Sequence, residues 1–161
     1  MKHTISALVD NKPGVLSRIS GLFTRRGFNI DSLAVSPSER PEYSRVTITV
    51  GASDTPVEQI TKQLDKLINV IKVRDLDPRN AVSRELGLFK VTVPSGRRSE
   101  VIELVEIFQA RIVDVTSESV IVELTGDSDT LHQMEDLLMP LGLTELVKTG
   151  VVSLARGNNP T

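Results

Sequence analysis

The sequence predicts an α+β chain made of two successive β-α-β-β-α-β units, and three observations carry that prediction. Short runs of alternating apolar residues suit half-buried strands. Between them, apolar residues shift to steps of three and four, the spacing of a helix face. The same order of signals recurs at an offset of roughly 80 residues, within a length of 161 that admits two small domains.

Thr4 to Val9 alternate and include β-branched residues, as a strand with one buried face requires. Asp10-Asn11-Lys12-Pro13-Gly14 breaks that strand, with Pro placed for the first turn of a helix, where its missing N–H costs nothing. Val15, Leu16, Ile19, Leu22 and Phe23 form one helical stripe. Arg25 and Arg26 suit the negative end of the helix dipole, and Gly27 suits the left-handed position beyond it. Phe28 to Val35 returns to strand, and a loop carries Pro37 and Pro41. Val46, Ile48 and Val50 then alternate with Arg45, Thr47 and Thr49. Thr55-Pro56-Val57-Glu58 fits a capping box with Pro at the first helical position. Val57, Ile60, Leu64, Leu67 and Ile68 make the second stripe, and Val70 to Val73 closes the unit as a strand.

The second half repeats the order. Leu86 to Val93 reads as a strand, Pro94-Ser95-Gly96 as a break, and Val101, Ile102, Val105 and Phe108 as a helix face. Ile112 to Val115 and Val120 to Leu124 flank Ser117-Glu118-Ser119 as a hairpin. Asp127-Ser128-Asp129 can cap a helix bearing Leu131, Met134, Leu137 and Leu138, stopped near Pro140 and Gly142. Leu146 to Leu154 supplies the last strand. The polar stretch from Asp75 to Arg84, with Pro78, reads as a linker, so the expected domains are 1–76 and 85–161 joined by 77–84. Both are expected to be ferredoxin-like, antiparallel sheets with helices on one face. The other face of each sheet is expected to be apolar and uncovered, which together with open sheet edges predicts oligomerisation.

Composition excludes several functions. A net charge of −2 and a single Tyr with no Trp leave neither a basic surface nor stacking platforms for nucleic acid. With no cysteine, thiolate chemistry, disulfides and thiolate metal sites are ruled out. No apolar run reaches the ~18 residues of a membrane span, and the start enters a strand pattern with no room for a signal peptide. A cytoplasmic protein is expected. His3 and His132 stand far apart with no second ligand at metal spacing, and no nucleophile–base–acid arrangement is apparent. Gly96-Arg97-Arg98 before a helix could hold an anion, or be an exposed basic turn. No catalytic residue, metal site or cofactor of its own is expected.

The most informative stretch is Asp10 to Leu16. Free N–H groups at a helix start favour a carboxylate. Asn11 can donate and accept, so it can read a zwitterion. Gly14 lets a ligand approach the backbone, and Val15 and Leu16 could touch an aliphatic ligand. The bland alternative is an ordinary turn with Asn11 capping the helix. Asn29, between Phe28 and Ile30 early in a strand where Asn is disfavoured, is the second candidate; a strand-end Asn bonding its own backbone is its alternative.

Asn11 to Leu16 resembles the turn N-x-P-G-x-L of the ACT domain, a small-ligand sensor of β-α-β-β-α-β order. Nearly the whole chain, from about residue 2 to 157, resembles the bacterial regulatory small subunits of acetohydroxyacid (acetolactate) synthase. The matching stretches are LVDNKPGVLSRISGLFTRRGFNIDSLAV (8–35), SRVTITV (44–50), RIVDVT (111–116) and KTGVVSLARG (148–157). The resemblance implies a homodimer, joined through its ACT domains, that activates a catalytic large subunit and confers feedback inhibition by a branched-chain amino acid, usually valine. It implies that thiamine diphosphate, Mg²⁺ and FAD belong to that large subunit, which condenses pyruvate with pyruvate or 2-ketobutyrate. It also implies a ligand site between the helix start of one chain and the second strand of its mate. Carried over, that site comprises Asn11, Gly14, Val15, Leu16, Asn29 and Ile30. Ser36 departs from the small apolar residues frequent at its position, and the second unit lacks the Asn and Val-Leu pair, so no amino-acid site is expected there.

Three alternatives compete. A free-standing ACT sensor acting on another enzyme or regulator shares the turn but not the second-half motifs. An RNA-binding module of the same strand order needs aromatics that Arg45-Val46-Thr47-Ile48-Thr49 lacks. An acylphosphatase-like enzyme needs an Arg and Asn pair that the first loop does not offer.

Overall fold

Both expected units form, and each follows from its apolar periodicity. The computed structural model describes residues 2–51 and 56–161. In the first unit the order is β1 (His3–Asp10), α1 (Val15–Arg25), β2 (Ile30–Pro37), β3 (Tyr43–Val50), α2 (Val57–Asp65) and β4 (Val70–Leu76). The sheet runs β2-β3-β1-β4, antiparallel throughout, so β2 is an edge with one neighbour. Ile5, Ala7 and Val9 of β1 and Val46, Ile48 and Val50 of β3 pack against Val15, Ile19, Leu22 and Phe23 of α1 and Ile60 and Leu64 of α2.

The α1 terminus shows how closely local sequence dictates structure. Gly27 takes φ +76. Its N–H donates to Thr24 O at 3.1 Å and the Phe28 N–H to Phe23 O at 3.0 Å, the bond pair of a Schellman stop. The Phe23 and Phe28 rings meet edge to face at 6.1 Å and seal it.

The second unit contains β5 (Ala81–Thr92), α3 (Arg98–Ile107), β6 (Arg111–Val115), β7 (Ser119–Gly126), α4 (Ser128–Leu138) and β8 (Leu143–Lys148), with sheet order β6-β7-β5-β8. Phe89, Val91, Val120, Val122 and Leu124 of the sheet pack on Val101 and Val105 of α3 and Leu131, Met134 and Leu138 of α4. Asp127 caps α4: its carboxylate accepts from the Thr130 hydroxyl at 2.7 Å and the Thr130 N–H at 2.8 Å. Those bonds hold the Asp127 carboxyl below the usual carboxylate range, the hydroxyl contributing most. Asp127→Ala should cost ~1 kcal/mol at neutral pH. Because the folded pKa is lowered, the stabilisation is present above the ordinary Asp range and fades as pH falls through the lowered value. Urea melts of both forms should therefore converge in acid.

Several expectations change. The expected last strand, Leu146 to Leu154, is two: β8 starts earlier, at Leu143, and β9 (Val152–Ala155) follows Gly150, whose φ of +87 breaks the run. The expected linker 77–84 holds one 3-10 turn, Pro78–Asn80, before β5 begins at Ala81. The compact units are Met1–Ser83 with Val151–Thr161, and Arg84–Gly150, so the segment expected to end the second domain packs with the first. β9 pairs with β5, and the Ser83 and Ser153 hydroxyls meet at 2.8 Å.

The face turned away from the helices is not the expected apolar one in the first sheet, and is apolar only in part in the second. In the first sheet that face carries Thr4, Ser6 and Leu8 of β1, Ser32 and Ala34 of β2 and Thr47 and Thr49 of β3. Hydroxyls form its centre, Arg45, Lys72 and Arg74 share the face, and Ser6, Thr47 and Thr49 are nonetheless buried. In the second, Leu88, Ile121 and Val147 sit among the ion pairs Lys90–Glu145 (3.6 Å) and Arg111–Glu123 (3.9 Å). Alternation sends apolar side chains to one face, and the opposite face receives their polar neighbours.

Helix starts differ as well. Pro13 lies before the N-cap of α1, which is Gly14, and Pro56 is itself the N-cap of α2. The Thr55 part of the expected capping box lies outside the described residues.

Candidate functional site

The turn after β1 is built from backbone bonds. Lys12 N–H donates to Asp10 O at 3.0 Å, and Asn11 N–H donates to Glu42 O at 2.9 Å. The Asn11 side chain donates through Nδ2 to Pro41 O at 3.1 Å, so Asn11 ties the turn to the β2–β3 loop and does not cap α1. Its Oδ1 has no partner among the described residues and remains an acceptor. Asp10, Asn69 and Arg18 brace the turn from behind: Asn69 Nδ2 donates to Asp10 Oδ2 at 3.2 Å and Arg18 Nη1 to Asn69 Oδ1 at 3.1 Å. Sequence reasoning missed this brace, because partners 51 and 59 residues apart leave no spacing signal.

Gly14 holds φ +86, ψ −12 and offers no side chain to the helix start. The amides of Gly14, Leu16 and Ser17 have no acceptor among the described residues, and that of Val15 reaches Lys12 O only at 3.5 Å. An ideal Cβ on Gly14 would find nothing within 4 Å. The result is an open rosette of N–H groups at the positive end of a helix, which favours an anion. Nearby apolar surface comes from Leu16, 39% exposed.

Val15 is a correction. It is 5% exposed and belongs to the α1 stripe that packs on the sheet, so its side chain is core, and only its backbone faces the turn. Leu16, one position further round the helix, points outward instead.

Asn29 is exposed and precedes β2, which starts at the half-buried Ile30. The register separates this pair from the turn. Ile30 pairs with Val50 and Val50 with His3, whereas Asp10 pairs with Tyr43. Seven residue steps, about 23 Å of strand, divide the two ends of β1. Within one chain, Asn29 and Ile30 therefore do not meet Asn11 and Gly14.

The weaker candidates are occupied by ordinary contacts. Arg97 pairs with Glu100 at 2.8 Å, and Arg98 donates to Thr116 O. His3 lies 3.4 Å from Asp75, and His132 lies beside Glu135 and Asp136. Among the described residues no three potential metal ligands cluster, and no helix is long and apolar enough to cross a membrane.

Residues 5–72 match a family described as the AHAS small subunit-like ACT domain, and residues 84–157 match the small subunit of acetolactate synthase. An acetolactate synthase small subunit from Mycobacterium bovis is 54% identical over 155 residues, spanning 96% of this chain and 92% of that protein. The chain belongs to the acetolactate synthase small-subunit family. A probable small subunit from Archaeoglobus fulgidus is 52% identical over 98% of this chain and 99% of its own length. The crystal structure of the Thermotoga maritima acetolactate synthase small subunit superimposes with a TM-score of 0.90 at 42% identity, covering 99% of each chain. As a family member the chain is a regulatory subunit in branched-chain amino-acid biosynthesis, and catalysis resides in the large subunit. The match to residues 84–157 extends the family beyond the ACT unit, which a free-standing ACT sensor would not share.

Proposed function

We propose that this small subunit senses a branched-chain amino acid, valine before leucine or isoleucine, as a cytoplasmic homodimer. It raises the activity of a large subunit holding thiamine diphosphate, Mg²⁺ and FAD, and it imposes feedback inhibition when the amino acid binds. The observation that carries this reading is the open rosette of amides at Gly14, Leu16 and Ser17 in the same turn as Asn11, whose Oδ1 has no partner among the described residues. The amides suit a carboxylate and Oδ1 suits an ammonium, so together they fit a zwitterion. Leu16 offers the aliphatic contact, and Val15 contributes through its backbone.

The register supports a second copy as the source of Asn29 and Ile30. Edge strand β2 runs from Ile30, at the His3 end of the sheet, to Pro37, paired with Ser44 at the Asp10 end. Two copies joined through antiparallel β2 edges would place Ile30 of one beside Pro37 of the other, at the end that carries Asn11 and Gly14. Val35, 44% exposed on that edge, gains cover in the same step.

A thermal-shift panel of the twenty amino acids, with and without the large subunit, tests the reading. Valine at a hundred times its dissociation constant should raise the melting temperature by ~5 °C or more. No shift with any branched-chain amino acid would sink it. Asn11→Ala removes the ammonium acceptor and the tie to Pro41, and should weaken valine binding by ~1–3 kcal/mol, roughly 5- to 150-fold. An unchanged dissociation constant by calorimetry would remove Asn11 from the site.

A further inference from the structure

Ser32 meets a segment far along the chain. Its hydroxyl shares a 2.5 Å hydrogen bond with Thr49 Oγ1 on β3 and accepts the Val151 N–H at 3.3 Å, from 119 residues later. Val151 is 6% exposed and Thr49 7%, while Ser32 is half-buried, so the junction is partly shielded from water. Val151 opens the segment that packs with the first unit, directly after the left-handed Gly150. Further along, Arg156 N–H donates to Asn80 O at 2.7 Å and Ala155 N–H to Thr161 Oγ1 at 2.8 Å.

Ser32 lies two residues beyond Ile30, and the β2–β3 register shifts between the two. A register shift on an edge strand is a place where the backbone can re-aim without breaking the sheet. Contacts at Asn29 and Ile30 would therefore act on the strand start next to the hydroxyl that seats Val151. The chain connects Val151 through Gly150 to the second compact unit.

We propose that Ser32 is a positioning residue through which occupancy at the start of β2 is passed to the segment Val151–Thr161; this rests on the effector site proposed above. Two states are needed for a ligand to act, and they are Val151 seated on Ser32 or released from it. Effector contacts at Asn29 and Ile30 fix the strand start and favour the seated state. Ser32→Ala removes the acceptor, so the segment no longer reports the strand.

The test uses the complete chain with its large subunit. In the wild type, valine should slow hydrogen exchange of the Val151 amide about five- to tenfold, the scale of one hydrogen bond. In Ser32→Ala that slowing should vanish while calorimetry still shows valine binding, and the ratio of activity without and with valine should fall toward one. Ser32→Thr keeps the hydroxyl and should restore both readouts, which a merely destabilised strand would not. Valine heat with unchanged Val151 exchange in the wild type, or full inhibition of the Ser32→Ala complex, overturns the role of Ser32 alone. Absence of valine heat in the wild type overturns the effector site as well.

Discussion

Gly14→Asp should leave the reconstituted synthase active yet raise its half-inhibitory valine concentration by at least ~100-fold. Three effects compete at this position, and magnitudes decide between them. Steric clash is absent, since nothing lies within 4 Å of the new Cβ. The φ of +86 costs an ordinary L-residue ~1–2 kcal/mol, and less for Asp or Asn, which visit the left-handed region locally. The carboxylate, by contrast, would occupy the amide rosette itself, where a negative charge is worth ~0.3–2 kcal/mol to the fold. A ligand carboxylate ~4 Å away would meet repulsion of ~4 kcal/mol at an effective dielectric of ~20, about a thousandfold. Charge therefore wins, and the fold should tolerate the change. Gly14→Asn supplies the same backbone requirement without charge and should move the half-inhibitory concentration less than ~10-fold. Equal effects from both substitutions would assign the loss to backbone geometry instead.

Gly142→Ala should be far more damaging to stability than its size suggests. Gly142 holds φ +111, and an ideal Cβ there would lie 2.2 Å from the Thr92 carbonyl oxygen. That neighbour is backbone, held in place because Thr92 N–H donates to Gly142 O at 2.9 Å, so it cannot rotate away. The left-handed penalty of ~1–2 kcal/mol adds to a lost hydrogen bond of ~0.5–1.5 kcal/mol and to displacement of the β5 end. A total near 3 kcal/mol is expected, read as a lower urea midpoint with an unchanged slope. Gly14→Ala, with open space around its Cβ, should cost only the conformational part. If the two alanines prove equally costly, the Thr92 contact is not what requires glycine at 142.

The contrast between these glycines shows what was legible in the residues. Gly27 reads as the stop of α1, and it is one, because a Schellman motif is written within six neighbouring positions. The stripe Val15, Leu16, Ile19, Leu22 and Phe23 is likewise local, and all of it but the outward Leu16 packs in the core, so both units can be drawn from periodicity. Gly142 is also legible as a stop and caps the turn Met139–Leu141, but the close approach of Thr92, fifty residues away in sequence, is encoded by no local pattern. The same limit explains why order along the chain assigns Val151–Thr161 to the second domain, when its partners Ser32, Asn80 and Ser83 lie in the first.

The candidate site was legible in part for the same reason. Asn11, Gly14 and Leu16 form one local turn, and its chemistry could be read from residue types. Periodicity puts Val15 and Leu16 in one stripe, and an apolar pair beside a turn fits a pocket or a core equally well; only the packing shows Val15 buried and Leu16 turned outward. The distance between Gly14 and Asn29 depends on strand register, which pairing alone reveals.

Calorimetric titration of valine into the isolated small subunit, wild type beside Gly14→Asp, measures the amide rosette most directly. Saturable heat with a dissociation constant between ~1 µM and ~1 mM is expected for the wild type, and binding at least ~100-fold weaker for the variant. Equal heats from the two proteins would place the effector elsewhere and contradict the account.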